Sequence, residues 1–392
     1  MIGDDLPANR CWLGLALVAA LILVSSFAHA QTEKVLYSFS AVNGLAPYPY
    51  TGVIRAGGNL YGTTYSGGAY GKGSIYKLNA KGVATTLYSF TGGADGRNPY
   101  GALLRDSNGN LYGTTTYGGA NDFGTVYELT STGIQTVLHS FANDGVDGAL
   151  PWSTLIRDKQ GNLYGTTVYG GPYRGGTIFK LTPTGTESIL YSFGAYSGDG
   201  LYPNAQLVRD GKGNLYGTTY NGGAHSLGTV FKLDMNGAET ILHDFVKDGV
   251  DGYQPFAGVI RDSSGNLYGT TINGGQFGDG TVFRITPQGV ETILLAFQGW
   301  DGGHPYAPLV RDAAGNLYGT AGGGGLNGQN GFGTVFRIAA NGVETVLYTF
   351  TGQEDGGWPY AAALVRDGKG NLYGTTTYGG ASLNGTVYKV TP

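Results

Sequence analysis

Apolar residues along this chain fall into short alternating runs separated by glycine, asparagine and aspartate. In the first hundred residues these runs cover 35–39, 52–55, 59–64, 74–78 and 86–90. Short runs rich in Val, Ile, Thr and Tyr, bounded by turn residues, are typical of antiparallel strands. Long helices are not expected, and the pattern predicts an all-β protein.

One segment of this pattern, GNLYGTT at 58–64, recurs through the whole chain. It begins again at residues 109, 161, 213, 265 and 370, and as GNLYGTA at 315, with intervals of 51, 52, 52, 52, 50 and 55 residues between its tyrosines. Each of the seven units carries four strand signals. Four antiparallel strands in a unit of about 50 residues, repeated seven times, predict a seven-bladed β-propeller.

The two ends of the chain fit closure of that ring. The chain ends on a third strand at 386–390, whereas the segment 34–39 has the sequence of a fourth strand. We expect these segments to pair and complete the last blade, which removes an exposed sheet edge. A parallel β-helix is the competing fold, but its coils are shorter and need no such closure. A single propeller domain is therefore predicted for residues 31–392.

The first thirty residues have the features of an export signal. Arg10 precedes an apolar run at 12–27, and Ala28-His29-Ala30 fits a small-x-small cleavage site. An uncleaved membrane anchor is the alternative. We predict a signal peptide at 1–30 and a secreted, periplasmic or cell-surface protein without membrane attachment after cleavage. Cys11 is the only cysteine, so the mature chain has no disulfide.

Composition limits the possible partners. The chain has 73 glycines and 29 tyrosines, only 13% charged residues, a formal charge of −4 and a pI near 5.7. A nucleic-acid partner would require a basic surface, which this composition does not supply. We expect a monomer with no nucleic-acid partner.

The repeated motifs GNLYGTT, YGG and GTVF-K/R-L resemble those of the bacterial GloVer tandem-repeat family, whose members carry a choice of C-terminal anchors. The resemblance covers all seven units. It implies an exported repeat protein, and it brings no established activity with it. The chain ends at Thr391-Pro392 without an anchor tail.

The longer connections lie on one face of the predicted ring, where the fourth strand leads to the next first strand and the second strand to the third. The first kind of connection carries the motif DGxxP followed by an aromatic residue, which either packs or stacks on a ligand. Residues shared by all units maintain the blades, so a single site is expected to use the exceptions. These considerations give the ligand-binding candidates Trp300, His304, Tyr306, Trp358 and Tyr360.

Other polar residues receive separate interpretations. The six RDxxGN turns, and His139 and His243 on fourth strands, are interpreted as structural. The two DGVDG segments resemble oxygen-rich Ca²⁺ loops, although they lack the full spacing of a known motif. Calcium is thus the one cofactor considered, with the weak metal candidates Asp144, Asp147, Asp248 and Asp251.

The sequence favours a non-catalytic binding module over an enzyme. No Ser-His-Asp order and no pair of glutamates stands apart from the repeat, and no catalytic residue is assigned. The expected partner is an extracellular ligand, either a glycan or a protein. The alternative is a metal-assisted lyase or hydrolase that uses the loop face of the propeller.

Overall fold

The computed structural model describes residues 32–40, 48–325, 328–360 and 363–392. The predicted signal peptide at 1–30 lies outside the described residues. Within them, no helix has the length and apolar character needed to cross a membrane.

The described residues form seven four-stranded antiparallel sheets, each with its strands in sequence order except the last. The predicted seven-bladed propeller is therefore confirmed. Blade 1 consists of Ile54–Ala56, Asn59–Thr64, Ser74–Leu78 and Ala84–Ser89, and blade 2 of Leu104–Arg105, Leu111–Thr115, Thr125–Leu129 and Gln135–Ser140. Blade 3 consists of Ile156–Arg157, Leu163–Thr167, Thr177–Leu181 and Glu187–Ser192, and blade 4 of Val208–Arg209, Leu215–Thr219, Thr229–Leu233 and Glu239–Asp244. Blade 5 consists of Ile260–Arg261, Leu267–Thr271, Thr281–Ile285 and Glu291–Ala296, and blade 6 of Val310–Arg311, Leu317–Ala321, Thr334–Ile338 and Glu344–Thr349.

Blade 7 joins the two ends of the chain. Its strands are Val365–Arg366, Leu372–Thr376 and Thr386–Thr391, and the fourth is Thr32–Ser38. The pairing runs from Thr32 opposite Thr391 to Ser38 opposite Thr386, with one irregularity after Val35. Closure by the N-terminal strand is thus confirmed, and the strand begins two residues earlier than predicted.

Adjacent blades are held together by one aromatic pair per interface. A phenylalanine just after each fourth strand packs edge-on against the aromatic residue of the third strand in the next blade, as Phe90 does against Tyr127 with ring centroids 5.2 Å apart. Phe39 makes the same contact with Tyr76, which closes the ring between blades 7 and 1. Edge-to-face pairs of this kind add about 0.5–1.5 kcal/mol each beyond the buried area.

The second glycine of GNLYGTT makes room for that third-strand aromatic residue. A Cβ on Gly62 would lie 2.6 Å from the Tyr76 hydroxyl oxygen, and Gly62 is directly opposite Tyr76 in the same blade. The space is used within the blade, and it accommodates the ring of Tyr76, which contacts Phe39 of the adjoining blade.

The RDxxGN turns have the structural role predicted for them. Asp158 Oδ1 accepts hydrogen bonds from the Gln160 and Asn162 amides, and its Oδ2 accepts one from the Tyr164 hydroxyl. The arginine beside each aspartate lies over a tyrosine of the preceding blade, as Arg209 does over Tyr164 at 5.7 Å. Each turn therefore fixes its own strand pair and also contacts the preceding blade.

Short two-stranded ribbons tie together the two kinds of connection on one face. They pair Gly148–Ala149 with Tyr169–Gly170, Gly200–Leu201 with Asn221–Gly222, and Gly252–Tyr253 with Asn273–Gly274. Isolated bridges occupy equivalent places, as between Gly303 and Gly323. A single 3-10 turn, Gly328–Asn330, is described in blade 6. These ribbons give the longer connections of this face fixed positions around the axis.

Candidate functional site

Seven equivalent residues from the fourth-to-first connections surround the propeller axis. Each follows an x-Pro dipeptide in which residue x has a left-handed backbone, with φ between 50° and 73°. This backbone turn aims the residue after proline at its counterparts, and we call the resulting set the axial ring. It consists of Tyr50, Tyr100, Trp152, Asn204, Phe256, Tyr306 and Tyr360.

Aromatic members of the axial ring contact one another. Tyr306 and Tyr360 stack with centroids 4.0 Å apart at 23°, and Tyr50 and Tyr100 stack at 5.6 Å. Phe256 lies edge-on to Tyr306 at 5.5 Å. The aromatic residues of the axial ring therefore pack against one another.

A cavity of about 640 Å³ opens above part of this ring on the loop face. We call it the axial cavity. Its volume suits a small organic ligand. Both kinds of connection on this face contribute to its lining, which consists of Tyr48, Tyr50, Tyr65, Tyr100, Thr116, Tyr117, Trp152, His304, Tyr306, Gly322, Gly323, Trp358, Tyr360, Thr377 and Tyr378.

The axial cavity brings together most of the ligand-binding residues predicted from the sequence. His304, Tyr306, Trp358 and Tyr360 all line it, although they come from two adjacent connections. Trp300 does not line it and is 60% exposed on a surface turn. Trp358 contacts Tyr378 with centroids 5.1 Å apart.

His304 is the only imidazole among the lining residues described. Its Nδ1 lies 2.7 Å from the carbonyl oxygen of Ile272. Since a carbonyl oxygen only accepts hydrogen bonds, Nδ1 carries the proton and donates it. Nε2 is thereby left as an unprotonated acceptor in the neutral ring, which is the form that a general base requires.

Three buried tyrosines of the cavity, Tyr50, Tyr100 and Tyr360, keep their hydroxyl protons at neutral pH. Burial raises the pKa of Tyr360, and the neighbouring Tyr306 hydroxyl adds to the rise. Burial also raises the pKa of Tyr50 and Tyr100. These groups therefore act as hydrogen-bond donors. Of the described lining residues, none is Asp, Glu, Lys or Arg.

Two lining residues also carry a buried polar atom that has no hydrogen-bond partner among the described residues. These atoms are the hydroxyl oxygen of Thr116 and the indole Nε1 of Trp152. Buried donors and acceptors are nearly always hydrogen-bonded, so these two atoms are exceptions.

Gly322 and Gly323 were missed in the sequence analysis, yet they shape the cavity. At the position of Gly322 the other blades carry Tyr65, Thr116, Val168, Tyr220, Ile272 and Thr377. A Cβ on Gly322 would lie 2.9 Å from the ring of Tyr306, so a side chain there would enter the cavity. The signal was the sixth unit's GTAGGG, where the others have Thr followed by a larger residue.

The weak metal candidates are separated by the structure. Asp144 is exposed, and its Oδ1 accepts hydrogen bonds from the amides of Val146 and Asp147 in a turn. Asp248 does the same in its own unit. Asp147 and Asp251 are buried and each faces an imidazole instead, in clusters distinct from the axial cavity.

Those clusters consist of His139 with Asp147 and Glu187, and of His243 with Asp251 and Glu291. They lie at the interfaces between blades 2 and 3 and between blades 4 and 5. Burial raises the pKa of both glutamates. Burial is the largest single influence on both imidazoles and lowers their pKa. The hydrogen bonds to Asp147 and Asp251, together with the charges of these aspartates and of Glu187 and Glu291, outweigh burial, so the pKa of both imidazoles is raised.

Comparison with solved structures gives propellers with lactonase names. A putative 6-phosphogluconolactonase from Bacteroides uniformis has 16% identity and a TM-score of 0.52, covering 81% of this chain and 88% of its own. A gluconolactonase from Xanthomonas campestris has 13% identity and a TM-score of 0.43, covering 72% and 82%. A putative gluconolactonase has 13% identity and a TM-score of 0.40, covering 93% of both chains.

The expectation of a non-catalytic binding module is corrected by the putative 6-phosphogluconolactonase, whose name is that of a hydrolase and favours the hydrolase alternative. At such identities the likeness itself shows the fold alone. No protein with a curated description matches the chain.

Family membership follows from a sequence model rather than from these structures. The model described as the Gloeobacter/Verrucomicrobia repeat matches residues 23–165, 144–329 and 202–392. These overlapping matches span all seven blades, in agreement with the resemblance seen in the repeated motifs. The chain belongs to the Gloeobacter/Verrucomicrobia repeat family.

Proposed function

We propose that the protein hydrolyses a small cyclic ester, of the sugar-lactone class, in the axial cavity. The observation that carries this proposal is His304, whose Nδ1 proton is fixed on the Ile272 carbonyl so that Nε2 serves as a base beside aromatic rings and hydroxyl donors. The lactonase names of the similar propellers suggest the substrate class, and the chemistry is argued from the cavity.

The reaction assigned to His304 is activation of water. Nε2 takes a proton from a water molecule while that water's oxygen forms a bond to the lactone carbonyl carbon. The carbonyl oxygen becomes an oxyanion, which the Tyr306 or Tyr360 hydroxyl stabilises by donating a hydrogen bond. The ring C–O bond then breaks, the imidazolium returns its proton to the departing oxygen, and a hydroxy acid is released.

The remaining lining residues suit binding of a sugar ring. Tyr306 and Tyr360 offer a flat surface for its apolar face. Since the described lining contains no Lys or Arg, a phosphate group would gain no ion pair. An uncharged lactone is therefore the expected substrate, in preference to a phosphorylated one.

Metal assistance, which formed part of the original alternative, is not assigned to this cavity. Divalent ions in proteins are usually held by carboxylate, imidazole or thiolate ligands. The described lining offers His304 alone from that set. The proposed mechanism consequently relies on general-base catalysis and hydrogen-bond donors.

The test is acid release from glucono-1,5-lactone, followed with a pH indicator and corrected for spontaneous hydrolysis. His304→Gln is a suitable variant because Gln254 occupies the equivalent position of the preceding unit with a similar backbone, φ 57° against 51°. Loss of a general base lowers kcat by about 10²–10⁴-fold. Met235→Ala, on an exposed turn of the opposite face, is the control that should keep full activity.

A second variant tests the cavity itself. Gly322→Thr introduces the residue found at the same position in the second and seventh units, Thr116 and Thr377, and should raise KM by filling space next to Tyr306. The proposal is overturned if the wild type does not accelerate hydrolysis of the uncharged lactone, or if His304→Gln keeps wild-type kcat. Faster turnover of the 6-phosphorylated lactone would contradict the assigned specificity.

A further inference from the structure

Two blade interfaces contain the same group of three potential metal ligands. His139 ends the fourth strand of blade 2, Asp147 lies in the connection to blade 3, and Glu187 begins the fourth strand of blade 3. The second group, His243, Asp251 and Glu291, lies 104 residues further on, which is two units of 52. In each group the three ligand atoms lie within 4.8 Å of one another.

The distances in both groups are close to those between ligand atoms that surround one small cation. Nε2 of His139 lies 3.1 Å from Asp147 Oδ2 and 3.5 Å from Glu187 Oε2. The corresponding distances from His243 are 3.1 Å and 3.6 Å. A tetrahedral site with bonds of about 2.0–2.1 Å has ligand atoms about 3.3–3.4 Å apart.

The clusters also contain buried polar atoms that lack partners. Oδ1 of Asp251 and Oε1 of Glu291 accept no hydrogen bond and are buried, and the Asp251 side chain is only 5% exposed. The Glu291 oxygen is the one that faces His243 Nε2. An imidazole Nε2–H can donate to one carboxylate at a time, so the second carboxyl group needs either a proton or a cation. Buried carboxylates are costly unless they are paired or bind a metal ion.

A third interface shows what the same position does without an imidazole. Between blades 3 and 4, Tyr191 replaces the histidine, and its hydroxyl lies 3.2 Å from Asp199 Oδ1 and 3.3 Å from Glu239 Oε2. The two carboxylates are therefore present there as well. Only the nitrogen ligand is absent, which makes this interface an internal control.

We propose that each His–Asp–Glu group binds one divalent transition-metal ion, with Zn²⁺ as the best fit, and that the ion joins adjacent blades. One imidazole nitrogen and two carboxylate oxygens are ordinary zinc ligands, with water as the fourth. Calcium prefers six to eight oxygen ligands, and each group offers a nitrogen and few oxygens. These sites are separate from the axial cavity and do not depend on its activity.

The experiment is calorimetric titration of tag-free, EDTA-treated protein with Zn²⁺ alone. The wild type should bind two equivalents, His139→Tyr and His243→Tyr one each, and the double variant none. Tyrosine is the natural residue at this position in other units, as at Tyr88 and Tyr348, so the variants should fold. Tyr191→His should create a third equivalent, because it adds the missing nitrogen beside Asp199 and Glu239.

Thermal unfolding supplies an independent measurement. Zn²⁺ should raise the Tm of the wild type and leave that of the double His→Tyr variant unchanged, since only a ligand that binds the folded state stabilises it. The proposal is overturned if the EDTA-treated wild type binds no Zn²⁺, or if the stoichiometry is the same in the wild type and the double variant. Equal or tighter binding of Ca²⁺ at these sites would contradict the ligand assignment.

Discussion

The blade interfaces and the axial cavity come from the same repeated unit, but they differ in how strictly they follow it. All seven interfaces carry an edge-on aromatic pair, such as Phe245 against Phe283, and an arginine over a tyrosine, such as Arg261 over Tyr216. At the axis, by contrast, equivalent positions hold residues as different as Asn204, Phe256 and Tyr306.

This difference separates residues that maintain the ring from residues that give it a function. Every interface must make the same angle for the ring to close, so a change in one contact strains the others. The axis faces solvent or a ligand, where such a constraint is weaker. The exceptions His304 and Gly322 both line the axial cavity and lie next to each other.

The largest effect is expected from opening the ring. A chain that begins at residue 40 lacks the strand Thr32–Ser38 and leaves Thr386–Thr391 as a free edge strand, paired only with Leu372–Thr376. Unfolding should become easier by several kcal/mol, because the strand's buried surface and Phe39 are lost. The control is a chain that begins at residue 31, and denaturant unfolding is the measurement. Equal midpoints would show that the N-terminal strand does not close the ring.

Matched phenylalanine-to-alanine substitutions compare a blade interface with the axial ring, and each should lower the free energy of unfolding by less than opening the ring does. Phe245→Ala removes a fully buried ring between blades 4 and 5 and should cost about 3–5 kcal/mol. Phe256→Ala removes an aromatic residue of the axial ring that is only partly buried, and it should cost clearly less. Equal losses in urea unfolding would mean that the axial ring is as important for stability as the interfaces.

Repetition explains why the fold could be predicted from the sequence. Seven copies of each strand gave the period, the blade count and the closing strand, and the second and third strands of the first unit were placed at the observed residues. The face of the ring that carries the longer connections was predicted from strand order. His304, Tyr306, Trp358 and Tyr360 were found because they depart from the repeat on that face.

The remaining parts of the site depend on distances that the sequence does not contain. Tyr48, Tyr65 and Tyr378 look like ordinary repeat tyrosines, and their place in the cavity depends on how the connections fold over the axis. Trp300 is also a departure from the repeat, but its turn points to solvent. The His–Asp–Glu groups join residues 48 positions apart, such as His139 and Glu187, which only the packing of neighbouring blades brings together.

The smallest predicted effect concerns the interface between blades 5 and 6, where a leucine, Leu295, replaces the tyrosine or histidine of the fourth strand. Asp301 and Glu344 therefore have no donor between them, and Asp301 is completely buried. Burial, and then the charge of Asp301, raises the pKa of Glu344 from 4.5 to about 7.

The sign of the pH dependence follows from that shift. Between pH 4.5 and about 7 the unfolded chain loses the Glu344 proton while the folded chain keeps it, so stability falls as pH rises through this window. Glu344→Gln removes this contribution and should flatten the decrease in Tm between pH 5 and pH 8, by on the order of 1 °C. Glu354→Gln, at an exposed position with the same change in formal charge, is the control. A slope in Glu344→Gln as steep as that of the wild type, in paired calorimetric scans at constant ionic strength, would show that the leucine-containing interface does not hold Glu344 in its protonated form.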